Sequence, residues 1–257
     1  MEIKRIKEHI KFLKEEVFFV NTKWPHFELL FQDIEKLSKS KKINDVVSLE
    51  RGSLYGNISL LAPCFYNKNF KSIDCSTKKI RSRGSYNKKY VRNSKIIKVE
   101  INKHCDYRNI KLNKNSVDLI IIPNLMHHIF DHKLLLNQCK KILKKNGKLY
   151  IFEPTLREIH QAPDDYFRFT PYSLIRLLKD LGFRKTKHKY CGGPFTAAAY
   201  CLDQAMQYVP KNKRKNFKQA FFRNKIEHFL KYEKNYSKNL ERKNTIFPMS
   251  FSIMASK

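Results

Sequence analysis

Two adjacent histidines, a pair of aspartates and an arginine fall just past apolar runs in the segment between Ser116 and Thr170. Asn124-Leu125-Met126-His127-His128 follows the run Val117–Pro123. His160-Gln161-Ala162-Pro163-Asp164-Asp165-Tyr166-Phe167-Arg168-Phe169-Thr170 follows the run Leu149–Pro154. Imidazole titrates near neutral pH and suits proton transfer. A guanidinium offers five donors in a rigid fork suited to a carboxylate or phosphate. His160, Asp165 and Arg168 are therefore the candidate catalytic residues, with His160 as base. His127, His160, Tyr166 and Arg168 are the candidate acceptor contacts. Structural roles fit the same residues: His160 and Asp165 pinning the loop, Arg168 pairing with Asp164 or Asp165 to close it. His128 is expected to cap the following helix, leaving His127 to face the site. His104 and His132 lie nearby in sequence, but no carboxylate or cysteine completes a ligand spacing there, so no metal is expected.

Such residues act together only if a frame gathers them. Val117–Pro123, a helical stretch and Leu149–Pro154 make a strand–helix–strand unit with strands apolar on both faces. That implies a parallel sheet covered by helices, with ligands bound outside the carboxyl ends of the strands. Asp45–Glu50 reads as the first strand, Phe70–Asp74 as the second and Ile96–Ile101 as the third. A short helix through Ile58, Leu60 and Leu61 follows the first. Pro171 opens a helix with an apolar face at Leu174, Ile175, Leu177, Leu178 and Leu181, closed by Gly182. Residues 183–191 are a sixth strand, and Phe247–Ala255 alternates like a last, half-buried one. Residues 1–42 read as two helices broken at Trp24-Pro25, and a helical insertion occupies about 194–243. The expected division is a helical extension over 1–42 and one α/β domain over 43–257.

Composition bounds the class. The chain has 257 residues, 42% of them hydrophobic, so it can bury a core despite 30% charged residues. The formal net charge is +30. Nine Lys or Arg and no acid lie between Ser76 and Lys98, and twelve against three Glu between Lys211 and Lys243, so these two blocks hold 18 of the surplus charges. Interleaved with Tyr86, Tyr90, Phe217, Phe221 and Phe222, they suit an anionic acceptor, a single-stranded nucleic acid or an anionic membrane surface. Heavy use of Lys, Asn and Ile throughout the chain is an equal explanation. Six scattered cysteines without a C-x-x-C fit reduced thiols and a cytoplasmic setting. No signal peptide is apparent, and no apolar run approaches the about 18 residues of a membrane span.

The first strand runs into Glu50-Arg51-Gly52-Ser53-Leu54-Tyr55-Gly56, and the second ends in Asp74, 22 residues beyond Gly52. An acid so placed accepts two hydrogen bonds from a ribose diol in dinucleotide folds. An ordinary strand–helix turn explains the same residues. With the downstream unit, the order of elements resembles a class I S-adenosylmethionine-dependent methyltransferase of the type-11 domain family. Its acidic-x-Gly-x-Gly-x-Gly loop is matched by Glu50, Gly52 and Gly56, with Leu54 in place of the middle glycine. Its ribose-binding acid is matched by Asp74, and its acid near the adenine by Asp106-Tyr107. Its Lys-x-Gly-Gly turn resembles Lys145-Asn146-Gly147, with Asn146 in place of one glycine. The segment from His160 to Thr170 is similar to one in methyltransferases of cell-surface glycan pathways.

The resemblance covers about 44–192 and the last strand. It implies a Rossmann-like α/β fold with a seven-stranded, mostly parallel sheet whose last strand is antiparallel. It implies S-adenosyl-L-methionine as cofactor, held by Glu50, Gly52, Ser53, Gly56, Asp74, Asp106, Tyr107 and Asn124. The expected activity is methyl transfer to a hydroxyl or amine of a small-molecule or glycan acceptor, anionic by the charge argument. Leu54 and Asn146 also admit a degenerate binding module. A nucleic-acid methyltransferase is less favoured, because Pro123-Asn124-Leu125 is no N/D-P-P-Y/F motif.

Overall fold

The structure is a computed structural model that describes residues 7–8, 11, 27–51, 61–75, 103–159, 162–210, 212–213, 216, 231–233 and 247–257. Its strands are β1 (Asp45–Glu50), β2 (Asn69–Asp74), β3 (Lys103–His104), β4 (Val117–Pro123), β5 (Leu143–Pro154), β6 (Arg184–Cys191) and β7 (Ser250–Ser256). They form one sheet in the order β3-β2-β1-β4-β5-β7-β6. The first five run parallel, and β7 is antiparallel to both β5 and β6. This is the expected Rossmann-like sheet with an antiparallel last strand. The chain builds outward from β1 through β2 to β3, then returns to place β4 on the other side of β1. That reversal opens a crevice at the carboxyl ends of β1 and β4, where open α/β sheets bind ligands.

Period-two alternation deals the apolar residues of the central strands to two cores. Leu119, Ile121, Tyr150 and Phe152 face one side with Val46, and they pack against Leu29, Leu30, Ile34 and Leu37 of helix α1 (Glu28–Ser38). Ile120, Ile122, Leu149 and Ile151 face the other side. There they meet Leu135, Leu136 and Cys139 of α2 (His132–Ile142) and Leu174 and Leu178 of α3 (Pro171–Asp180). Thus α1 completes the sheet's second layer. It is further held by buried Asp33, which accepts from Ser252 Oγ at 2.8 Å and Tyr150 Oη at 3.3 Å and pairs with Lys189. The earlier of the two expected helices falls largely outside the described residues.

Local signals in the sequence have direct counterparts. Thr170 accepts from the Ser173 backbone N–H and Pro171 opens α3, while Gly182 at φ +75° follows its end. Asn146 adopts φ +65°, the left-handed conformation that Asn tolerates better than most residues, so it serves in place of a glycine. At Gly147 a Cβ would lie 2.9 Å from the Lys144 carbonyl oxygen and 3.1 Å from that of Val117. Backbone cannot yield there as a side chain would, which explains the glycine. The exposed edge strand β6 carries Arg184, Lys185, Lys187 and Lys189, charges that discourage edge-to-edge pairing.

The third strand appears at Lys103–His104, after the expected Ile96–Ile101, which lies outside the described residues. A 3-10 turn at Ala62–Phe65 stands downstream of the short helix expected through Ile58. Of the insertion, α4 (Pro194–Ala205) is described, and Glu233 accepts from the Thr196 backbone N–H at its first turn. All six cysteines are free, and burial pushes the Cys64 and Cys139 thiols up to about 12. Among the described residues no helix is long and apolar enough to cross a membrane.

At the amino ends of the strands, Lys144 bridges Asp45 at 2.6 Å and Asp118 at 2.9 Å. The bond to Lys144 holds the Asp45 carboxyl below its ordinary value of 3.8; backbone N–H groups of Asp45 and Asn44 and the same lysine hold Asp118 low against its partial burial. Both depressions stabilise the fold above the unfolded value, and that stabilisation is lost as pH falls through the folded values. Lys144→Met is therefore expected to lower stability at neutral pH, the deficit shrinking below about pH 3.8. Urea unfolding of both proteins across that range is the measurement; a deficit independent of pH would refute the assignment.

Candidate functional site

The carboxyl ends of β4 and β5 are joined by one buried carboxylate. Glu153, fully shielded from solvent, takes hydrogen bonds from the backbone N–H groups of Leu125 (2.8 Å) and Met126 (2.6 Å) through Oε1. Its Oε2 meets His127 Nδ1 at 2.6 Å. An ionised carboxylate only accepts, so Nδ1 is the protonated nitrogen and Nε2 points away from Glu153. Asn124 opens this turn at φ +56°, with its own N–H given to the Phe152 carbonyl at 2.7 Å. Its Oδ1 is buried with no hydrogen-bond partner among the described residues.

His128 Nδ1 lies 2.5 Å from the Asp164 carbonyl oxygen. A carbonyl can only accept, which again fixes the proton on Nδ1. Helix α2 instead begins after Asp131, with no side-chain cap, so the expected capping role of His128 is corrected: the loop beyond β5 claims its ring. His127 is the more deeply buried, and His128 lines the cavity with Arg51, Cys75, Tyr107, Phe130 and Tyr166. Donor atoms of His127, His128 and Asp165 all lie within 4.8 Å of one another.

The segment from Asp164 to Phe169 is tied down along its length. Arg168 donates to both Asp165 oxygens at 2.6 and 2.8 Å and to the carbonyls of Arg157, Glu158 and Phe167. These five contacts use its five N–H donors. Its expected role as a fork for an acceptor anion is thereby corrected, because the loop itself consumes that capacity. The Asp165 carboxylate is only 1% exposed. Phe167 and Phe169 pack edge-on against His132 with centroids at 4.5 and 4.8 Å, anchoring the segment to the start of α2. Tyr166 is 43% exposed, and its hydroxyl donates to Asp164, which pushes its pKa up. His160, the expected base, and Gln161 lie outside the described residues.

On the other side of the crevice, Glu50 and Asp74 end β1 and β2 and are direct partners in the strand register. Both are buried at 4% exposure. Tyr107, just beyond β3, lines the cavity. Asp106, half-buried, takes the Arg108 guanidinium on both oxygens and the Arg108 backbone N–H at 2.9 Å. Gly52, Ser53 and Gly56 lie outside the described residues. Arg51 closes the crevice, its guanidinium donating to the Asp164 carboxylate at 3.1 Å and the Asp164 carbonyl at 3.2 Å.

Residues 49–151, from the end of β1 through the middle of β5, match the profile of the type-11 methyltransferase domain. This part of the chain is similar to the methyltransferase domain family. No curated protein matches the chain. Solved structures share the fold at low identity. A SAM-dependent methyltransferase from Archaeoglobus fulgidus superposes with a TM-score of 0.50 at 17% identity, over 90% of this chain and 94% of that one. A chain in the complex of the Trm112 methyltransferase activator with a methyltransferase of Haloferax volcanii gives 0.52 at 13% identity, over 100% and 97%. A [4+2]-cyclase gives 0.52 at 11% identity, over 90% and 80%. The methyltransferase fold therefore carries more than one chemistry, and the reaction must be argued from the site.

Around this crevice, sequence reasoning passed over Glu153, Arg51 and Asp164 as a connected group. A signal for Glu153 was present, since it is the lone acid inside the doubly apolar run Leu149–Pro154. Arg51 carried none, because its partner lies more than a hundred residues away.

Proposed function

We propose that this chain is an S-adenosylmethionine-dependent methyltransferase acting on a hydroxyl or amine of a small-molecule or glycan acceptor that carries negative charge. The observation that supports it best is the buried carboxylate pair, Glu50 beside Asp74, at the carboxyl ends of adjacent parallel strands. Two acceptor-only groups next to a crevice suit vicinal ribose hydroxyls, which donate. The buried Asn124 Oδ1 adds an acceptor for an N–H of the same ligand. These residues fit the cofactor. When bound, S-adenosylmethionine supplies a methyl group on a sulfonium, an electrophile that needs alignment more than acid–base help.

In this reading Glu50 and Asp74 orient the ribose, Tyr107 flanks the adenine side, and Asn124 with the turn to His128 forms the floor. The segment Asp164–Phe169, fixed by Arg168, walls off water on the acceptor side. His160 accepts the proton lost by an acceptor hydroxyl. With the formal charge at +30, the chain's field attracts an anionic acceptor. The clasp of Arg51 on Asp164 favours a second reading, a module that binds the cofactor without turning it over.

Calorimetric titration with S-adenosylhomocysteine is the test. Binding that raises the melting temperature is expected, since at 100 Kd of ligand the fold gains about 2.7 kcal/mol. No heat at millimolar ligand, with native far-UV dichroism, would sink both readings. Binding without methyl transfer across hydroxyl and amine acceptors would leave the second.

A further inference from the structure

We propose that Arg51 anchors a carboxylate of the acceptor, and that the Asp164 side chain holds the place of that carboxylate until the acceptor displaces it. The inference deepens the activity proposed above and rests on it for the acceptor's part; the carboxylate site itself needs no methyl transfer. Arginine is almost never buried unless paired. Arg51 is only 7% exposed, directly follows β1 and lines the cavity. It donates to the Asp164 carboxylate at 3.1 Å and to the Asp164 carbonyl at 3.2 Å, which uses two of its five N–H donors. Its Nε–H is buried with no hydrogen-bond partner among the described residues. A buried donor left unmade costs free energy. On a cavity-lining guanidinium it points to a ligand with two anionic oxygens, which takes Nε and an Nη together in the bidentate pairing arginine favours.

The two partners of this ion pair are unequal. The Arg51 side chain is 6% exposed and the Asp164 side chain 36%, so the cation is fixed while its anion stands at the rim. The backbone beneath Asp164 is held without the carboxylate. Its carbonyl accepts from His128 Nδ1 at 2.5 Å as well as from Arg51, and Tyr166 gives its backbone N–H to the His127 carbonyl at 2.9 Å. The carboxylate can therefore rotate away about its own side-chain bonds while the loop stays in place. Tyr166 Oη donates to the other Asp164 oxygen at 2.9 Å. Guanidinium and phenol hydroxyl thus already bracket one carboxylate, one donor group on each oxygen, and the same pair brackets an incoming one.

Exchange of one carboxylate for another also gives selectivity. A neutral acceptor that pushed Asp164 aside would leave the buried Arg51 charge uncompensated, which is strongly unfavourable, whereas a carboxylate restores the pair. Phe130 and Tyr166 border the same cavity, 67% and 43% exposed, with ring centroids 5.5 Å apart in an edge-to-face contact. Exposed rings beside a charged anchor offer apolar surface to the body of the acceptor. The ligand class that fits is a small molecule or sugar acid bearing a carboxylate next to an apolar ring face.

Full-length protein carrying ¹⁵N-labelled arginine, titrated with acetate against chloride at constant ionic strength, tests the proposal, with acetamide as the neutral control. Arg51→Lys identifies the Arg51 Nε–H resonance by its loss. Acetate is expected to shift that resonance saturably, and acetamide to leave it in place. Asp164→Asn removes the internal competitor and is expected to lower the acetate midpoint about tenfold or more, because a competent state populated below about a tenth reduces apparent affinity by that fraction. A merely structural clasp would not move the midpoint. The wild-type contrast of acetate with acetamide stands even if Asp164→Asn fails to fold. No acetate shift in the wild type, an equal shift with acetamide, or an unchanged midpoint in folded Asp164→Asn would overturn the site. With S-adenosylhomocysteine bound, the acetate shift is expected to persist. Its loss with that ligand but not with methylthioadenosine, which lacks the amino-acid carboxylate, would give the site to the cofactor's tail and overturn the acceptor's part. A failed S-adenosylhomocysteine titration beside a positive acetate titration would remove the proposed activity and leave the carboxylate site.

Discussion

Replacing Glu153 with alanine is expected to cost about 3–5 kcal/mol of stability, because three buried donors left without an acceptor each cost about 1–3 kcal/mol. The carboxylate is fully buried and receives three donors within 2.8 Å, two of them backbone N–H groups at the turn that ends β4. Alanine leaves those donors in a corner without an acceptor, and water cannot reach it without opening the junction of β4 and β5. For a domain of this size the loss corresponds to a melting temperature lower by roughly 6–20 °C. Glu153→Gln separates shape from charge. The amide keeps one oxygen for Leu125 and Met126 but sets an NH₂ against His127. The ring must then accept at Nδ1, which moves its proton to Nε2. Most of the stability retained is the expected result for Gln. A penalty below 1 kcal/mol for alanine in urea unfolding would show that the carboxylate does not hold this corner.

Glu153 also marks where the sequence stops being legible. Val117–Pro123 and Asp45–Glu50 could be placed to the residue, because a strand buried on both faces leaves a largely apolar run, broken here only at Asp118 and Ser48 inside the strands. Pro171 and Gly182 bounded α3 because capping chemistry is local. Asn146 looked like a defect in a glycine turn, yet its side chain tolerates the left-handed conformation the turn demands. Asp33 shows the opposite case. It reads as a polar position of α1, but Tyr150, Lys189 and Ser252 reach it from three strands of the folded sheet. The clasp of Arg51 on Asp164 and the approach of Asp165 to the two histidines are pairings of the same non-local kind. Periodicity reports which face a residue occupies, not which residue of another strand end it meets. Arg168 is instructive too, since its chemistry was read correctly while its five donors proved to be spent inside its own loop.

Asp74→Ala is expected to weaken S-adenosylhomocysteine binding about 100-fold while leaving the sheet intact. The carboxylate ends β2 beside Glu50, at the crevice formed where the strand order reverses. In the proposed complex it accepts from both ribose hydroxyls. Hydrogen bonds to an ionised group are worth about 1.5–3 kcal/mol each, and 1.4 kcal/mol is a tenfold change in affinity. Losing two bonds, with water partly compensating the freed hydroxyls, gives about two decades. Asp74→Asn keeps one acceptor oxygen and is expected to lose about one decade. Glu50→Ala tests the neighbour, and because the two side chains adjoin, the double variant is expected to fall short of the sum of the singles. Calorimetric titration supplies the affinities, and far-UV dichroism with a urea midpoint separates binding from folding. If Asp74→Ala and Glu50→Ala both fold and bind like the wild type, the carboxylate pair does not hold the ribose. The site would then have to be sought at the Asn124 turn, whose Oδ1 is a buried acceptor with no hydrogen-bond partner among the described residues.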